Sequence, residues 1–514
     1  MLLDGELIYE RALAPEPGYS FAHQLIVDVA YGSRLAKPRA RLHALAAKGL
    51  EELYPERLDE QAGLISHHLE QAGEPLAAAQ WGARAALWAG RADEAGAMQQ
   101  WRRVSRLSDA APTSSDAMSI GIWSRIGIMQ FGYRLGTDTE EIRQAFEQAR
   151  ALAERSGDVR SLAMVVGMYA YTRVLAGETA AYVDMGLESV RLAEEAGDPS
   201  MQVALIGAPT TLEVVGRWRE ALEMMEPWFA RWADDPTLGA GLTNECPYSQ
   251  CIAMRARIRL HLGELTAQEA RAETERAIML ALEHFDADNV VSIYTAQVSI
   301  CFFEGDGEAA LDCANRAIEH AERAGSLWTL SQAHWSRGLA HVARGDWQAA
   351  IAAEQRSLEI AGDRLPGTML EPLALAQLAS AYAGAGEVDR AREAAQEAVA
   401  LADRGGSRFF ELIAQLTLAA VLIEALAARA NDDPDSGAMD EIEVALARVE
   451  TLIEQIGAVG FEPWLHESRR RRAQLTGDTS TYMRELNEAR QRWLALGAEP
   501  RAAALAAELA PTTA

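Results

Sequence analysis

The sequence predicts an all-α protein: a solenoid of tetratricopeptide-like helix pairs, with a period of about 40 residues and a short N-terminal β-hairpin. Three observations lead to this prediction. The strong helix formers alanine, leucine, glutamate and arginine dominate from residue 39 onward. The first 35 residues differ from the rest and contain β-prone segments around a Pro-Gly turn. Glycines that open turns recur 39 to 47 residues apart, at Gly136, Gly177, Gly216, Gly263, Gly305, Gly345 and Gly386.

The N-terminal segment, residues 1–38, is predicted to form the hairpin and a connecting helix. Residues 6–13 and 19–21 are β-prone and flank the turn sequence Ala14-Pro-Glu-Pro-Gly18. An apolar-periodic segment then begins at His23 and stops near Pro38. A two-stranded hairpin is marginal in water, so this one must pack against another part of the protein.

Helix pairs are predicted for the remainder of the chain. A second set of Gly-Asp and Gly-Ser turns, such as the one at Gly157, keeps step with the first set. Each repeat therefore holds two helices of about 15 residues, and neighbours must stack because one repeat cannot bury its apolar face alone. The small-residue columns at Ala340, Ala350 and Ala381 let adjacent helices approach closely.

The period admits two kinds of repeat. HEAT-like repeats fall near 40 residues, whereas the pattern Leu-x-x-Ala-Tyr-x-x-x-Gly from Leu378 to Gly386 is tetratricopeptide-like, and we favour a long-helix variant of the latter. The polar sequence Asn431–Gly437 interrupts the pattern, and Ala510–Ala514 is expected to fray. We predict linker helix pairs over 39–115, the repeat solenoid over 116–430 and further helical repeats over 438–510.

Composition excludes several functions. The 514 residues carry a net charge of −27, which repels phosphate backbones and anionic lipid, so we expect neither nucleic acid nor a membrane as a partner. Four cysteines in this length fit a reducing cytoplasm, and no run of about 18 uncharged apolar residues is present. The only lysines, Lys37 and Lys48, do not lie in a phosphate-binding loop. We therefore expect no cofactor, no ATP binding and no enzymatic activity in this chain.

The sequence contains no convincing motif for catalysis, cofactor binding or metal binding. The sequence Gly305-Asp-Gly-Glu-Ala-Ala fits a dinucleotide fingerprint but lies on a repeat turn with no clear preceding strand. Asp286-Ala-Asp-Asn289 lacks the glycine and distal glutamate of a calcium loop and is interpreted as a solvated turn. The ten histidines show no metal-binding spacing, and the adjacent His67 and His68 are expected on different sides of a helix. The four cysteines are expected to be buried thiols.

Aromatic and basic clusters provide the candidates for a binding site. Tryptophans gather around residues 218–232 and 328–347, and we weigh core packing ahead of a role as anchors in a groove. The run Arg469–Arg472 is interpreted first as a solvated helix face paired with acids and second as a site for an anionic partner. The first helices of stacked pairs usually line the concave face. The candidate partner-binding residues are Trp328, His334, Trp335, Arg337 and His341.

Several stretches are similar to known families. Tyr19-Ser-Phe-Ala-His23, Asp28-Val-Ala-Tyr31, Arg39-x-Arg-Leu-His43 and His67-His-Leu-Glu-Gln-Ala-Gly73 resemble the segment after the nucleotide-binding module of large bacterial STAND-type ATPases with C-terminal tetratricopeptide arrays. Arg150–Asp158, Gly239–Gly241 with Cys246-Pro-Tyr248, and Phe461-Glu-Pro-Trp-Leu-His-Glu467 are similar to the tails of class III adenylate/guanylate cyclases that carry such a module. Cyclase metal-binding aspartates and Walker motifs have no counterpart in this sequence.

The resemblance implies that residues 1–38 are the remnant of a winged-helix wing and its connecting helix. It also implies a cytoplasmic, non-catalytic regulatory or scaffold module that binds a protein, a peptide or a small effector. Two alternatives remain open: the C-terminal part of a cyclase whose catalytic half lies outside this chain, or a LuxR-type ATPase regulator without its DNA-binding domain. An enzyme hidden among the repeats is disfavoured by the missing motifs and lysines.

Overall fold

A computed structural model describes most of the chain. The described residues are 7–11, 18–33, 35–90, 93–243, 246–283, 287–362, 365, 368–428 and 436–509. Two compact units are distinguished. The smaller unit comprises Met1–Trp88 and Gln99–Ser124, and the larger unit comprises Ala89–Met98 and Arg125–Ala514. The predicted domain boundaries are not tested by this division. The predicted turns at 14–18 and 431–437, and the end at 510–514, lie wholly or partly outside the described residues. Asp286 also lies outside them, but a helix begins at Ala287 and Asn289 within it is 4% exposed, so the prediction of a solvated turn is wrong there.

The predicted hairpin is confirmed. Strands β1 (Ile8–Arg11) and β2 (Gly18–Phe21) are antiparallel, with Ile8 opposite Phe21. Helix α1 (Gln24–Gly32) follows, and the His23 side chain caps it by accepting a hydrogen bond of 3.1 Å from the backbone N–H of Leu25.

The rest of the described chain is helical, which confirms the all-α repeat prediction. The next helices are α2 (Ala36–Leu53), α3 (Leu58–Ala72), α4 (Pro75–Ala89), α5 (Glu94–Ala110), α6 (Ser115–Arg134), α7 (Thr139–Ser156), α8 (Val159–Leu175), α9 (Thr179–Ala196), α10 (Pro199–Ala204), α11 (Gly207–Val215), α12 (Trp218–Asp234) and α13 (Ala240–Thr243). They continue as α14 (Pro247–His261), α15 (Ala267–Glu283), α16 (Ala287–Glu304), α17 (Gly307–Ala324), α18 (Leu327–Arg344), α19 (Trp347–Gly362), α20 (Glu371–Gly384), α21 (Val388–Gly405), α22 (Arg408–Ala428), α23 (Ser436–Ile456), α24 (Glu462–Leu475), α25 (Thr479–Ala495) and α26 (Glu499–Leu509). Short 3₁₀ turns lie at Pro55–Arg57 and Val459–Phe461.

Glycine turns separate the two helices of each pair, as the spacing predicts. All seven periodic glycines have positive φ angles, between 67° and 87°, a conformation that side chains with a Cβ rarely adopt. At Gly305 the chain leaves α16, and Asp306 caps α17 by accepting a 3.0 Å hydrogen bond from the Ala309 N–H. The Gly305 sequence is therefore a repeat turn, which confirms that interpretation.

Small residues let the helices of neighbouring pairs pack closely. Ala340, Ala350 and Ala381 are fully buried, and the last two belong to one core cluster that joins α19, α20 and α21. Because alanine has no side-chain entropy to lose and little volume, helices meeting at such columns approach without large voids.

Later pairs of the larger unit pack back onto earlier ones. The Met369 N–H donates to the Leu175 carbonyl at 2.9 Å, and the Ser407 hydroxyl donates to the Val214 carbonyl, 193 residues earlier, at 2.7 Å. The Gly216 turn faces this seam, where an added Cβ would lie 2.6 Å from the Ile456 side chain. The early and late first helices therefore face a common interior.

One described helix, α22, is long and apolar enough to cross a membrane by length and composition. Half of its most apolar window is buried inside the protein, and α21 and α23 pack against it. A core helix of a large helical protein has the same properties, and the bond from Ser407 to Val214 ties its start to α11.

Candidate functional site: the cavity between the first helices

A cavity of about 340 Å³ lies inside the larger unit. Its volume falls in the range of about 300–1,000 Å³ that small-molecule sites occupy. Apart from Met369, Leu370 and Phe461, the described lining residues lie on the first helices of successive pairs: α8, α11, α14, α16, α18, α20, α22 and α24. This placement agrees with the expectation that first helices line the concave face of stacked pairs.

Aromatic and aliphatic side chains form most of the lining. Phe302, Trp328, Trp335, Phe410 and Trp464 contribute rings from four helices. Aromatic rings bury large apolar areas with few rotatable bonds, so such a wall favours an apolar ligand body at low entropic cost.

Two charged side chains among the described lining residues form an ion pair. Arg257 on α14 donates from Nε and Nη2 to the two carboxylate oxygens of Glu213 on α11, each at 2.7 Å. Glu213 is buried, whereas 26% of the Arg257 side chain remains accessible. Burial acts to lower the pKa of Arg257, but the facing Glu213 carboxylate outweighs it and raises that pKa. Within the described part of the chain, the third guanidinium nitrogen, Nη1, has no hydrogen-bond partner.

His261 lies one helical turn beyond Arg257 and is 2% exposed. Four aromatic rings surround the imidazole, with centroids 5.1 to 5.4 Å from its centroid: those of Trp218, Phe303, Phe409 and Phe461. Its Nδ1 atom has no partner among the described residues. Burial, and then the positive charge of Arg257, lower the pKa of His261 well below the usual value, so the imidazole is neutral at pH 7.

Further polar atoms of the lining also lack partners in the described chain. Trp335 Nε1 and Gln377 Oε1 are buried without a hydrogen bond. The Ser292 hydroxyl, by contrast, donates to Gln332 Oε1 at 3.0 Å. A wall of apolar side chains with a few convergent polar groups is the composition typical of a ligand site.

The structure separates the candidate partner-binding residues into two groups. Trp328 and Trp335 line the cavity and are 6% and 8% exposed. The other three are not among its described lining residues. His334 Nδ1 lies 3.3 Å from Arg337 Nη2, and burial, with Arg337 and Arg356, lowers the pKa of His334 to about 4. The grouping of all five as one partner site stays a prediction.

His341 lies at the turn between α18 and α19. Its Nδ1 is 3.6 Å from an oxygen of Asp346, and burial lowers the pKa of the histidine even though Asp346 opposes the shift. His341 Nδ1 is therefore near a carboxylate but buried without a hydrogen bond in the described chain.

Sequence reasoning missed the polar lining. Gln250, Arg257 and His261 lie seven and four residues apart, so they share one face of α14, but nothing in the sequence shows that this face meets Glu213 on α11. A search of the first helices for polar residues at helical spacing would have found the α14 stripe.

Each arginine of the Arg469–Arg472 run forms an ion pair with a different acid. The partners are Glu450, Glu508, Glu424 and Glu443, in chain order of the arginines. The predicted pairing with surrounding acids is therefore confirmed, but Arg470 is 5% exposed, so the run is not a solvated face throughout.

A histidine cluster lies in the smaller unit, where the sequence predicts no grouping of histidines. The rings of His67 and His68 lie 5.6 Å apart, and His43 Nδ1 is 2.8 Å from His68 Nδ1. The Tyr31 hydroxyl lies 3.1 Å from His43 Nε2. The His43 ring on α2 lies 6.2 Å from that of His67 and 5.1 Å from that of His68, so both histidines of α3 contribute to one cluster. Even so, no group of side chains in the described ranges has the arrangement of a metal site.

All four cysteines are buried and free, as expected.

The solved structures that are similar to the chain include three helical proteins. A Rap protein complexed with Competence and Sporulation Factor is 12% identical, with a TM-score of 0.43, over 83% of this chain and 99% of that one. The apo form of RapI is 11% identical, with a TM-score of 0.37, over 82% and 97%. A STAND protein with a tetratricopeptide-repeat sensor from Pyrococcus horikoshii is 12% identical, with a TM-score of 0.32, over 77% and 52%.

No protein-family model matches the sequence, and no curated protein matches it. The helix pairs, the glycine turns and the buried alanine columns define a helical-repeat protein built of tetratricopeptide-like pairs. Likenesses at 11–12% identity do not bear on function, so we infer the function from the cavity itself.

Proposed function

We propose that the chain is a non-catalytic regulatory module that binds an effector in the cavity between its first helices. The observation that supports this proposal is the cavity. It has a volume of about 340 Å³, its lining comes mainly from eight first helices, and that lining is largely apolar with a few unpaired polar atoms. Because those helices belong to early and late pairs, a ligand that contacts both would stabilise the seam between them. Binding would thereby change how readily the pairs separate.

In this proposal the module is part of a bacterial signal-transduction ATPase or cyclase system. The N-terminal sequence resemblance to STAND-type ATPases supports the first, and the resemblance of later stretches to cyclase tails supports the second. A protein, a peptide or a small molecule could act as the effector, and a cytoplasmic location fits the free thiols. The proposal includes no cofactor, nucleic acid or membrane.

The experiment is a thermal-shift screen of metabolites and short peptides against three proteins. Ala420 of α22 lines the cavity and is only half-buried, so Ala420→Trp should fill the space. Ala427 lies on the same helix but is exposed, so Ala427→Trp is the matched control.

Compounds that stabilise the wild-type protein should also stabilise Ala427→Trp and should lose their effect on Ala420→Trp. Compounds that stabilise all three proteins equally would place the ligand site outside the cavity and overturn the proposal.

A further inference from the structure

We propose that the cavity selects a carboxylate carried on an apolar body, with Arg257 as the anchor for the carboxylate. This inference rests on the proposed function and specifies the ligand class of the same site. Two sources present this chemistry, a free organic acid and the C-terminus of an apolar peptide, and the test below distinguishes them.

Arg257 has donor capacity to spare. A guanidinium carries five N–H donors in a fixed fork, and Glu213 occupies the Nε and Nη2 edge. The Nη1 group has no partner in the described chain, and a quarter of the side chain is accessible in the cavity lining. Guanidinium groups bind carboxylates through short, charge-assisted hydrogen bonds, which are about twice as strong as neutral ones.

The charge arrangement disfavours a cationic ligand. Both oxygens of Glu213 already accept from Arg257, and Glu213 is buried behind that pair. A ligand group at Nη1 would therefore lie nearer to the arginine than to the glutamate, and the attraction of the nearer charge would exceed the repulsion of the farther one. An ammonium group in that position would face the positive charge instead.

The remaining lining suits the body of such a ligand. Trp328, Trp335 and Phe410 supply apolar surface from α18 and α22, on helices other than the ones that carry the ion pair. A molecule with its acid at α14 and a hydrophobic chain or ring toward α18 would desolvate apolar surface while keeping its charge paired.

The test compares matched ligands by titration calorimetry on the full chain. The probes are 4-phenylbutyrate, 4-phenylbutanamide and 4-phenylbutylamine, together with the dipeptide acetyl-Leu-Phe as its free acid and as its amide. In at least one series, the acid should bind at least ten times more tightly than the amide, and the phenylbutyl series should place the amine last. The series that binds more tightly identifies the source of the carboxylate.

The matched variants remove a charge pair without changing the net charge. Glu213→Gln with Arg257→Gln should abolish the preference for the acid and leave the affinity for the amide within twofold. Glu411→Gln with Arg448→Gln removes a similar bidentate pair, with distances of 2.6 and 2.9 Å, whose arginine is not a described lining residue, and should keep the preference. If the first double variant does not fold, Ala420→Trp replaces it and should weaken acid binding at least tenfold.

Equal affinities for acid and amide, or tighter binding of the amine, would overturn the carboxylate class while leaving the cavity as an effector site. An acid preference that survives the neutral Glu213/Arg257 variant would overturn the role of Arg257. If no probe binds, the inference is wrong, and the metabolite and peptide screen still decides the proposed function separately.

Discussion

The cavity wall and the arginine run on α24 differ in how completely their polar side chains are paired. In the run, each of four adjacent guanidinium groups has its own carboxylate partner. In the wall, Arg257 Nη1, His261 Nδ1, Trp335 Nε1 and Gln377 Oε1 have no partner in the described chain. The arginines that are conspicuous in the sequence therefore have their charges paired within the protein, although Arg470 Nε and Arg472 Nε are buried without a hydrogen bond in the described chain. The wall residues are inconspicuous in the sequence and leave whole polar groups without a partner.

This difference has an energetic meaning. The pairs of Arg469, Arg471 and Arg472 are partly solvated, so water already screens them and each contributes little to stability, whereas Arg470 is buried. In the wall, His261 Nδ1, Trp335 Nε1 and Gln377 Oε1 are withdrawn from water, so leaving them unpaired costs free energy that a ligand can recover. Substitutions that act on one region and spare the other can test the contrast.

The largest effect is expected from breaking the ion pair of the wall. Arg257→Ala leaves the Glu213 carboxylate buried without its partner and should lower the free energy of unfolding by about 3–5 kcal/mol. Arg471→Ala breaks the pair with Glu424, in which both side chains are more than 40% exposed, and should cost at most about 1 kcal/mol. Urea unfolding followed by tryptophan fluorescence measures both changes. Equal costs for the two variants would remove the energetic contrast between the regions.

The second effect compares two buried tryptophans. Trp493 Nε1 donates to Glu467 Oε1 at 2.7 Å, whereas Trp335 Nε1 has no partner in the described chain. Trp493→Phe loses a charge-assisted hydrogen bond, so it should cost about 1.5–3 kcal/mol more than Trp335→Phe, which loses packing volume alone. Thermal and urea unfolding of the two variants provide the comparison, and a cost for Trp335→Phe as large as that for Trp493→Phe would contradict it.

Glu354 gives a third and smaller effect, outside the cavity lining. Both of its carboxylate oxygens are buried without a partner in the described chain, and Gly338 leaves the space that they occupy. Burial raises the pKa of Glu354 well above its usual value, so the folded state holds a proton that the unfolded state releases above about pH 4.3. Stability should therefore fall as pH rises from that value toward the raised pKa.

Glu354→Met should stabilise the protein at pH 8 by about 1–3 kcal/mol, because it replaces an unpaired polar group by an apolar one of similar length. Glu354→Gln should remove the same part of the pH dependence but recover less stability, since its amide remains unpaired. Unfolding in urea at pH 5 and pH 8 separates the two variants. Unchanged pH dependence in both would show that Glu354 is not the titrating group.

Much of the fold could be predicted because glycine and alanine carry local information. A turn that needs a positive φ angle selects glycine, so the periodic residues from Gly136 to Gly386 marked every turn of their series. Close helix packing selects alanine, so Ala340 and Ala381 marked the contacts between helices. The return of Ser407 to Val214 could not be predicted, since contacts 193 residues apart depend on the accumulated rotation from pair to pair.

The candidate site was only partly predictable for the same reason. Aromatic spacing placed Trp328 and Trp335 on one face of α18, and both line the cavity. Arg337 shares the helix but contacts His334 instead. Whether Glu213 meets Arg257 depends on the register of two different pairs, which local patterns do not encode.

The smallest effect is expected in the smaller unit, from the pH dependence of its histidine cluster. Here the polar side chains contact one another, as in the arginine run, but they can also change their protonation state. Burial is the main cause that lowers the pKa of His43 and of His68, and neighbouring histidines add to it. The unfolded chain therefore binds protons more readily than the folded one below about pH 6.5, and stability is complete above that pH and lost as pH falls toward the lowered values. Hydrogen exchange of α2 and α3 should be faster at pH 5.5 than at pH 7.5 after correction for intrinsic rates.

His68→Gln should reduce that difference because its amide can still hydrogen-bond to His43 but does not titrate, while His320→Gln in the larger unit should leave it unchanged. If exchange in α2 and α3 is equally protected at both pH values in the wild-type protein, the histidine cluster does not couple protonation to the stability of its helices.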